Sequence, residues 1–187
     1  YEFQVILPLL AEFTFSDGVA GYALLSSAMG VGAVVGGLMA ASKKKTSLHS
    51  IVRISSLFGI AVFLVAISPT LQLAALAMVI VGVVSTNFLS QANAYLQVKS
   101  LPEMRGRVMS LWTVTFLGTT PIGAPIIGWI GETAGPRWGL YVAGLAAIAA
   151  AGIAYLLIRR DDEHPISPEV VLAHEHAVSD KQVNMRS

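Results

Sequence analysis

The strongest constraint on this chain is where its basic residues fall between long apolar blocks. Lys43, Lys44, Lys45 and Arg53 occupy one polar break; Lys99, Arg105 and Arg107 another; Arg159 and Arg160 a third; Lys181 and Arg186 follow in the tail. These breaks alternate with others that hold Arg137 alone, so 11 of the 12 Lys and Arg residues lie on one side if the blocks cross a membrane in turn. Loops facing the cytoplasm accumulate Lys and Arg. The alternation therefore predicts a multi-pass membrane protein with its C-terminus in the cytoplasm.

Composition agrees with this topology. The chain is 55% hydrophobic and 12% charged, whereas a soluble domain carries about a quarter charged residues. A net charge of +1 gives no reason to expect a nucleic-acid partner. Cysteine is absent, which excludes disulfides, thiolate chemistry and Cys-based metal sites. The 17 glycines suit helices that pack closely in lipid, where apolar surface alone does not drive association.

A spanning helix needs about 20 apolar residues. The blocks run Tyr1–Phe15, Ala20–Ala41, Ile51–Ile67, Leu71–Leu96, Val108–Ile130 and Gly139–Ile158. The first is too short and reads as the outer part of a helix cut at its N-terminus, in a chain that is the C-terminal portion of something longer. Ser16 and Asp17 are candidate caps for the second helix. Trp129, Trp138 and Tyr141 flank an outer break, at the headgroup level that aromatic side chains favour. Blocks such as 143–157 are apolar all round, which argues against membrane strands with their two-residue alternation. The expected organisation is an all-α membrane unit over 1–160 and a disordered cytoplasmic tail over 161–187, where Asp161-Asp162-Glu163 ends the apolar pattern.

No enzyme constellation is present: Gly-x-Ser-x-Gly, His-Glu-x-x-His and the P-loop Gly-Lys-Ser/Thr are all missing. His174-Glu175-His176 is too sparse to make a metal site against the plain reading of a solvated tail, and no cofactor is expected. Candidate functional residues are therefore polar groups inside the apolar blocks. Glu2 lies about 20 Å below the outer face if block one ends near Phe15, at 1.5 Å rise per residue. Lipid penalises a charged carboxyl there, which makes Glu2 a candidate to take up and release a proton. Asn87, Gln91 and Tyr95 are spaced four apart on one helix face. That stripe faces either a water-filled substrate cavity or a neighbouring helix, and both readings stay open.

Thr115 and Thr119 lie beside Pro121 and Pro125, where proline removes backbone bonds and threonine hydroxyls can satisfy the freed carbonyls. Such a helix either flexes during transport or holds a static kink. Gly32 and Gly36 form a small-x-x-x-small packing face. Glu103, Arg105 and Arg107 either pair to hold a loop closed against a neighbouring helix or simply mark topology.

Particular stretches resemble the major facilitator superfamily. Phe3-Gln4-Val5-Ile6-Leu7-Pro8-Leu9-Leu10-Ala11 is similar to its seventh helix, in particular that of the drug and siderophore exporter branch, the enterobactin-exporter-like proteins. Gly21-Tyr22-Ala23-Leu24-Leu25 with Gly30-Val31-Gly32-Ala33 and Gly36-Gly37 looks like the eighth. Ser90-Gln91-Ala92-Asn93, Leu96-Gln97 and Pro102-Glu103-Met104-Arg105-Gly106-Arg107-Val108-Met109-Ser110-Leu111 are similar to the tenth helix and the loop into the eleventh. Gly118-Thr119-Thr120-Pro121-Ile122-Gly123 with Gly128 extends the likeness through the eleventh, so that it covers residues 1–158. One departure stands out: the loop from Ser42 to Arg53 lacks the Asp of the superfamily's Gly-x-x-x-Asp-Arg-x-Gly-Arg-type signature and carries Lys43, Lys44 and Lys45.

The resemblance implies a six-helix C-terminal bundle, helices seven to twelve of a twelve-helix transporter. Its partners would be an N-terminal six-helix half of the same protein, the lipid bilayer and a small-molecule substrate. The implied activity is proton-coupled efflux of small organic compounds across the plasma (inner) membrane, by an antiporter. The alternative from a different class is a non-transporting membrane scaffold or interaction protein.

Overall fold

A computed structural model of the chain describes residues 3–42 and 47–163. It is helical, with no strand among the described residues. The elements in order are α1 (Phe3–Leu9) continuing into a π-helical turn (Leu10–Thr14), α2 (Gly18–Ala41), α3 (Leu48–Ile67), α4 (Leu71–Lys99), α5 (Arg105–Gly118), α6 (Thr120–Thr133) and α7 (Pro136–Glu163). Only Thr119 separates α5 from α6, and Arg105–Thr133 counts as one rod. With that rod, five helices among the described residues are long and apolar enough to cross a membrane, and Val5–Thr14 is a shorter apolar helix. The six apolar blocks thus become six helical segments. The chain divides into two compact units, Tyr1–Ile153 and Ala154–Ser187. Of the second, the described part is the end of α7, residues 154–163.

Several helix ends differ from the sequence expectation, each for a local reason. α3 starts at Leu48, three residues before the apolar block, because the Ser47 side chain accepts a hydrogen bond from the Ser50 amide (3.2 Å). Thr70 caps α4 in the same way, through the Leu73 amide (3.4 Å). The expected cap at Ser16 and Asp17 does not form: Asp17 makes no side-chain capping bond. That turn is built from backbone instead. The Phe15 amide reaches back to the Leu10 carbonyl (3.3 Å) and the Asp17 amide to that of Ala11 (3.1 Å). Ser16 adopts the left-handed conformation (φ 58°) that ends many helices. At the other end, α7 continues to Glu163, past Asp161 where the apolar pattern stops. Residues 164–187, including the three tail histidines, lie outside the described residues, as do Lys43–Thr46.

Glycine sets how closely the helices pack. Gly21, Leu25, Gly32 and Gly36 form the buried stripe of α2. A Cβ on Gly32 would overlap the Val79 carbonyl, one on Gly36 the Val83 carbonyl, and one on Gly82 the Met29 carbonyl of the facing helix. α2 and α4 therefore meet backbone to backbone, as small residues permit where lipid competes equally for apolar surface. A second close approach joins α3 to α7, where a Cβ on Gly59 would lie 2.9 Å from the Gly144 carbonyl oxygen. The core is filled by Leu10, Leu25, Val62, Val65, Met78 and Val81, with Leu140 from α7.

Candidate functional site

The amide stripe of α4 faces other helices. Asn87 is 4% exposed and Gln91 2%. Ser50 of α3 donates to Gln91 Oε1 (3.0 Å), Gln91 Nε2 donates to Asn87 Oδ1, and Asn87 Nδ2 donates to the Gly36 carbonyl of α2 at a long 3.5 Å. Each donor points the same way, in a chain that crosses from α3 through α4 to α2. Through these bonds Asn87 and Gln91 join α4 to α3 and to α2. Tyr95, four residues further on, is half-buried and adds no hydrogen bond to the chain among the described residues.

Space for a ligand lies elsewhere in the first unit. A cavity of about 320 Å³ opens between α1, α3, α6 and α7, walled by Phe3, Ile6, Phe58, Val62, Ile127 and Leu140. Thr119 reaches this wall, alone among the described residues proposed for the substrate path. A second cavity of about 210 Å³ is walled by Ser55, Ser85, Phe88, Leu89 and Phe116. Phe58 and Ala147 line both. Phe3 meets Phe58 edge to face, at 6.2 Å between centroids and 84° between planes. Among the described residues neither wall holds a charged side chain. Sequence reasoning missed this phenylalanine set, because a Phe inside an apolar block looks like any other lipid-facing or core residue until the helices are assembled.

At the α5–α6 junction, proline and threonine share the work differently than expected. Pro121 lacks the amide that would reach the Leu117 carbonyl, and the Thr119 amide points to Leu117 instead. The Thr119 hydroxyl bonds the Phe116 carbonyl (3.0 Å), not the one that proline freed. Pro125 sits inside α6. Thr115 is exposed and lines neither cavity.

Glu103, Arg105 and Arg107 are all exposed, and among the described residues they make no ion pair with one another. The opposite end of the bundle carries a cationic clamp instead. Arg137 Nη2 donates to the Ser68 carbonyl (2.8 Å), and its guanidinium lies 6.0 Å from the Phe15 ring centroid. One side chain so links the turn after α1, the turn between α3 and α4, and the start of α7. Tyr141 adds a bond from its hydroxyl to the Ala66 carbonyl (3.5 Å) and packs on Phe63. The sequence signal was present, since Arg137 is the one basic residue of the alternate breaks. Glu2, the proposed proton carrier, lies outside the described residues.

A family model described as the Major Facilitator Superfamily matches residues 3–181. No curated protein and no solved structure matches the chain.

Proposed function

The chain belongs to the major facilitator superfamily, a family of secondary transporters, and from that premise we propose that it acts as helices seven to twelve of a proton-driven exporter. The proposed cargo is a small organic compound of drug or siderophore type. The site is a plasma membrane, with the Lys- and Arg-rich breaks and the C-terminal tail on the cytoplasmic side. An N-terminal six-helix half completes the carrier, and the bilayer is its solvent.

The observation that carries the small-organic cargo is the cavity at Thr119. Its volume of about 320 Å³ lies at the lower bound for organic-ligand sites, and its described walls are apolar but for the Thr119 hydroxyl, in keeping with sites that place few polar groups among apolar ones. Proton coupling rests on Glu2, whose place in block one puts an ionisable group at membrane depth. A carboxyl that is neutral facing one side and charged facing the other moves one proton per cycle against the substrate.

The test uses the full-length protein carrying this chain, reconstituted in vesicles with a pH-sensitive dye inside. Substrate addition should drive proton movement, and Glu2→Gln should abolish the coupling while leaving the protein folded. Coupling that survives Glu2→Gln removes that residue from the proton path. A protein that binds partners but moves neither substrate nor protons fits the scaffold reading instead.

A further inference from the structure

We propose that the two cavities on either side of Phe58 form one divided binding site for uncharged aromatic compounds that carry a hydrogen-bond donor, with Phe58 setting the length accepted. This rests on the reading of the chain as a carrier of small organic compounds, and names what the site would take.

Three observations lead there. The chambers share Phe58 and Ala147 in their linings, and Phe58 is the larger of the two shared side chains. The smaller chamber, about 210 Å³, is too small by itself for a drug-sized ligand, and the larger one barely suffices; the two combined fall well inside the usual range. The walls are rich in phenylalanine. Phe3 and Phe58 flank the larger chamber, and Phe88 and Phe116 the smaller. Phe116 is held by stacking on Trp112 at 5.8 Å. Aromatic faces favour ring-bearing ligands in edge-to-face or offset contact.

The polar groups narrow the class further. Among the described residues no charged side chain reaches either chamber, so an ionic ligand would lose its hydration with none of them to replace it. The amides of Asn87 and Gln91 line neither chamber and are spent on each other. Thr119 lines the larger chamber with its hydroxyl hydrogen already given to the Phe116 carbonyl. Its oxygen is left as an acceptor. A ligand that suits it brings an N–H or O–H.

The probe is N-phenyl-1-naphthylamine, an uncharged two-ring-system fluorophore with one N–H. Binding is measured on the full-length protein in lipid nanodiscs, with empty discs subtracted, and without any ion gradient. Its sulfonated counterpart, 8-anilinonaphthalene-1-sulfonate, tests charge, and 1-phenylnaphthalene tests the N–H. We expect saturable binding of the neutral amine and none of the sulfonate. Ala147→Phe, which fills the shared wall, should weaken the amine by about tenfold or more. Thr119→Val should weaken it about fivefold, the worth of one neutral hydrogen bond, and leave 1-phenylnaphthalene unchanged. Phe58→Ala opens the partition, so a longer analogue with a second phenyl ring should gain affinity; this gain-of-function variant keeps the test decisive should Ala147→Phe not fold. Equal binding of the sulfonate, or binding indifferent to both Thr119→Val and Phe58→Ala, overturns the proposal. Transport that persists without this binding leaves the carrier reading standing and removes only the site. Binding without transport keeps the site and removes the carrier reading.

Discussion

Replacing Gln91 with leucine separates the two roles open to the α4 amides. Leucine is close to glutamine in volume, so the change removes polarity more than packing. Gln91 makes two side-chain hydrogen bonds, one to Asn87 and one from Ser50. The Ser50 bond joins two helices, where such bonds average about 0.6 kcal/mol, and taking the Asn87 bond within α4 as similar gives roughly 1.2 kcal/mol for the two. The substitution also strands Asn87 Oδ1, whose donor is Gln91, in a residue that is 4% exposed. An orphaned buried acceptor adds about 1 kcal/mol. Gln91→Leu should therefore destabilise the protein by about 2 kcal/mol, read by reversible unfolding in mixed micelles. The double variant Asn87→Leu with Gln91→Leu leaves no stranded partner between the two. Its cost should fall short of the sum of the singles by about 1 kcal/mol, the signature of coupled residues. Substrate KM should stay at the parent value in each variant that folds. A Gln91→Leu protein as stable as its parent but with a raised KM would refute this reasoning, because the amide would then be facing substrate.

Gly82→Leu should cost roughly 3 kcal/mol or more, since any Cβ there collides with the Met29 backbone, which cannot rotate away. Gly30→Ala, which meets nothing within 4 Å, should stay within about 0.5 kcal/mol; the same unfolding assay reads both. Arg137→Ala should cost about 2 kcal/mol by removing a charge-assisted bond to Ser68 and the contact with Phe15. Hydrogen exchange should then quicken in the turns at 15–17 and 68–70 and remain unchanged at 100–104; uniform quickening would contradict a local clamp.

How much the sequence discloses differs sharply between the fold and the site. Segment count was legible because lipid demands long apolar helices and polar breaks, whereas several ends moved by a few residues, as at α3, where the Ser47 cap starts the helix before its apolar block. Which face of each helix is buried was not legible from hydrophobicity. Leu25 is fully buried while Leu38 of the same helix is 69% exposed. In a bilayer both environments are apolar, so the usual amphipathic pattern has no cause. The small residues supplied what that pattern could not: Gly32 and Gly36 stood out in the sequence, and in the structure they face α4. For Asn87 and Gln91 the spacing gave the shared face but not its partner, which depends on Ser50 and Gly36 arriving from two other helices. The cavities depend on four or more elements at once, beyond any local signal. Arg137 was visible as an exception to the charge pattern, yet its role needed the position of the Ser68 carbonyl.

The most direct test of the account is sidedness. This chain contains no cysteine, so each variant adds one thiol to it at a known position, and labelling of the unsubstituted protein is subtracted. Asp17→Cys and Ala134→Cys should react with a membrane-impermeant maleimide in intact cells. Ser42→Cys and Glu103→Cys, all four positions being exposed, should react only after the membrane is permeabilised. Labelling of position 42 or 103 from outside intact cells would contradict the six-segment topology on which every functional statement here depends.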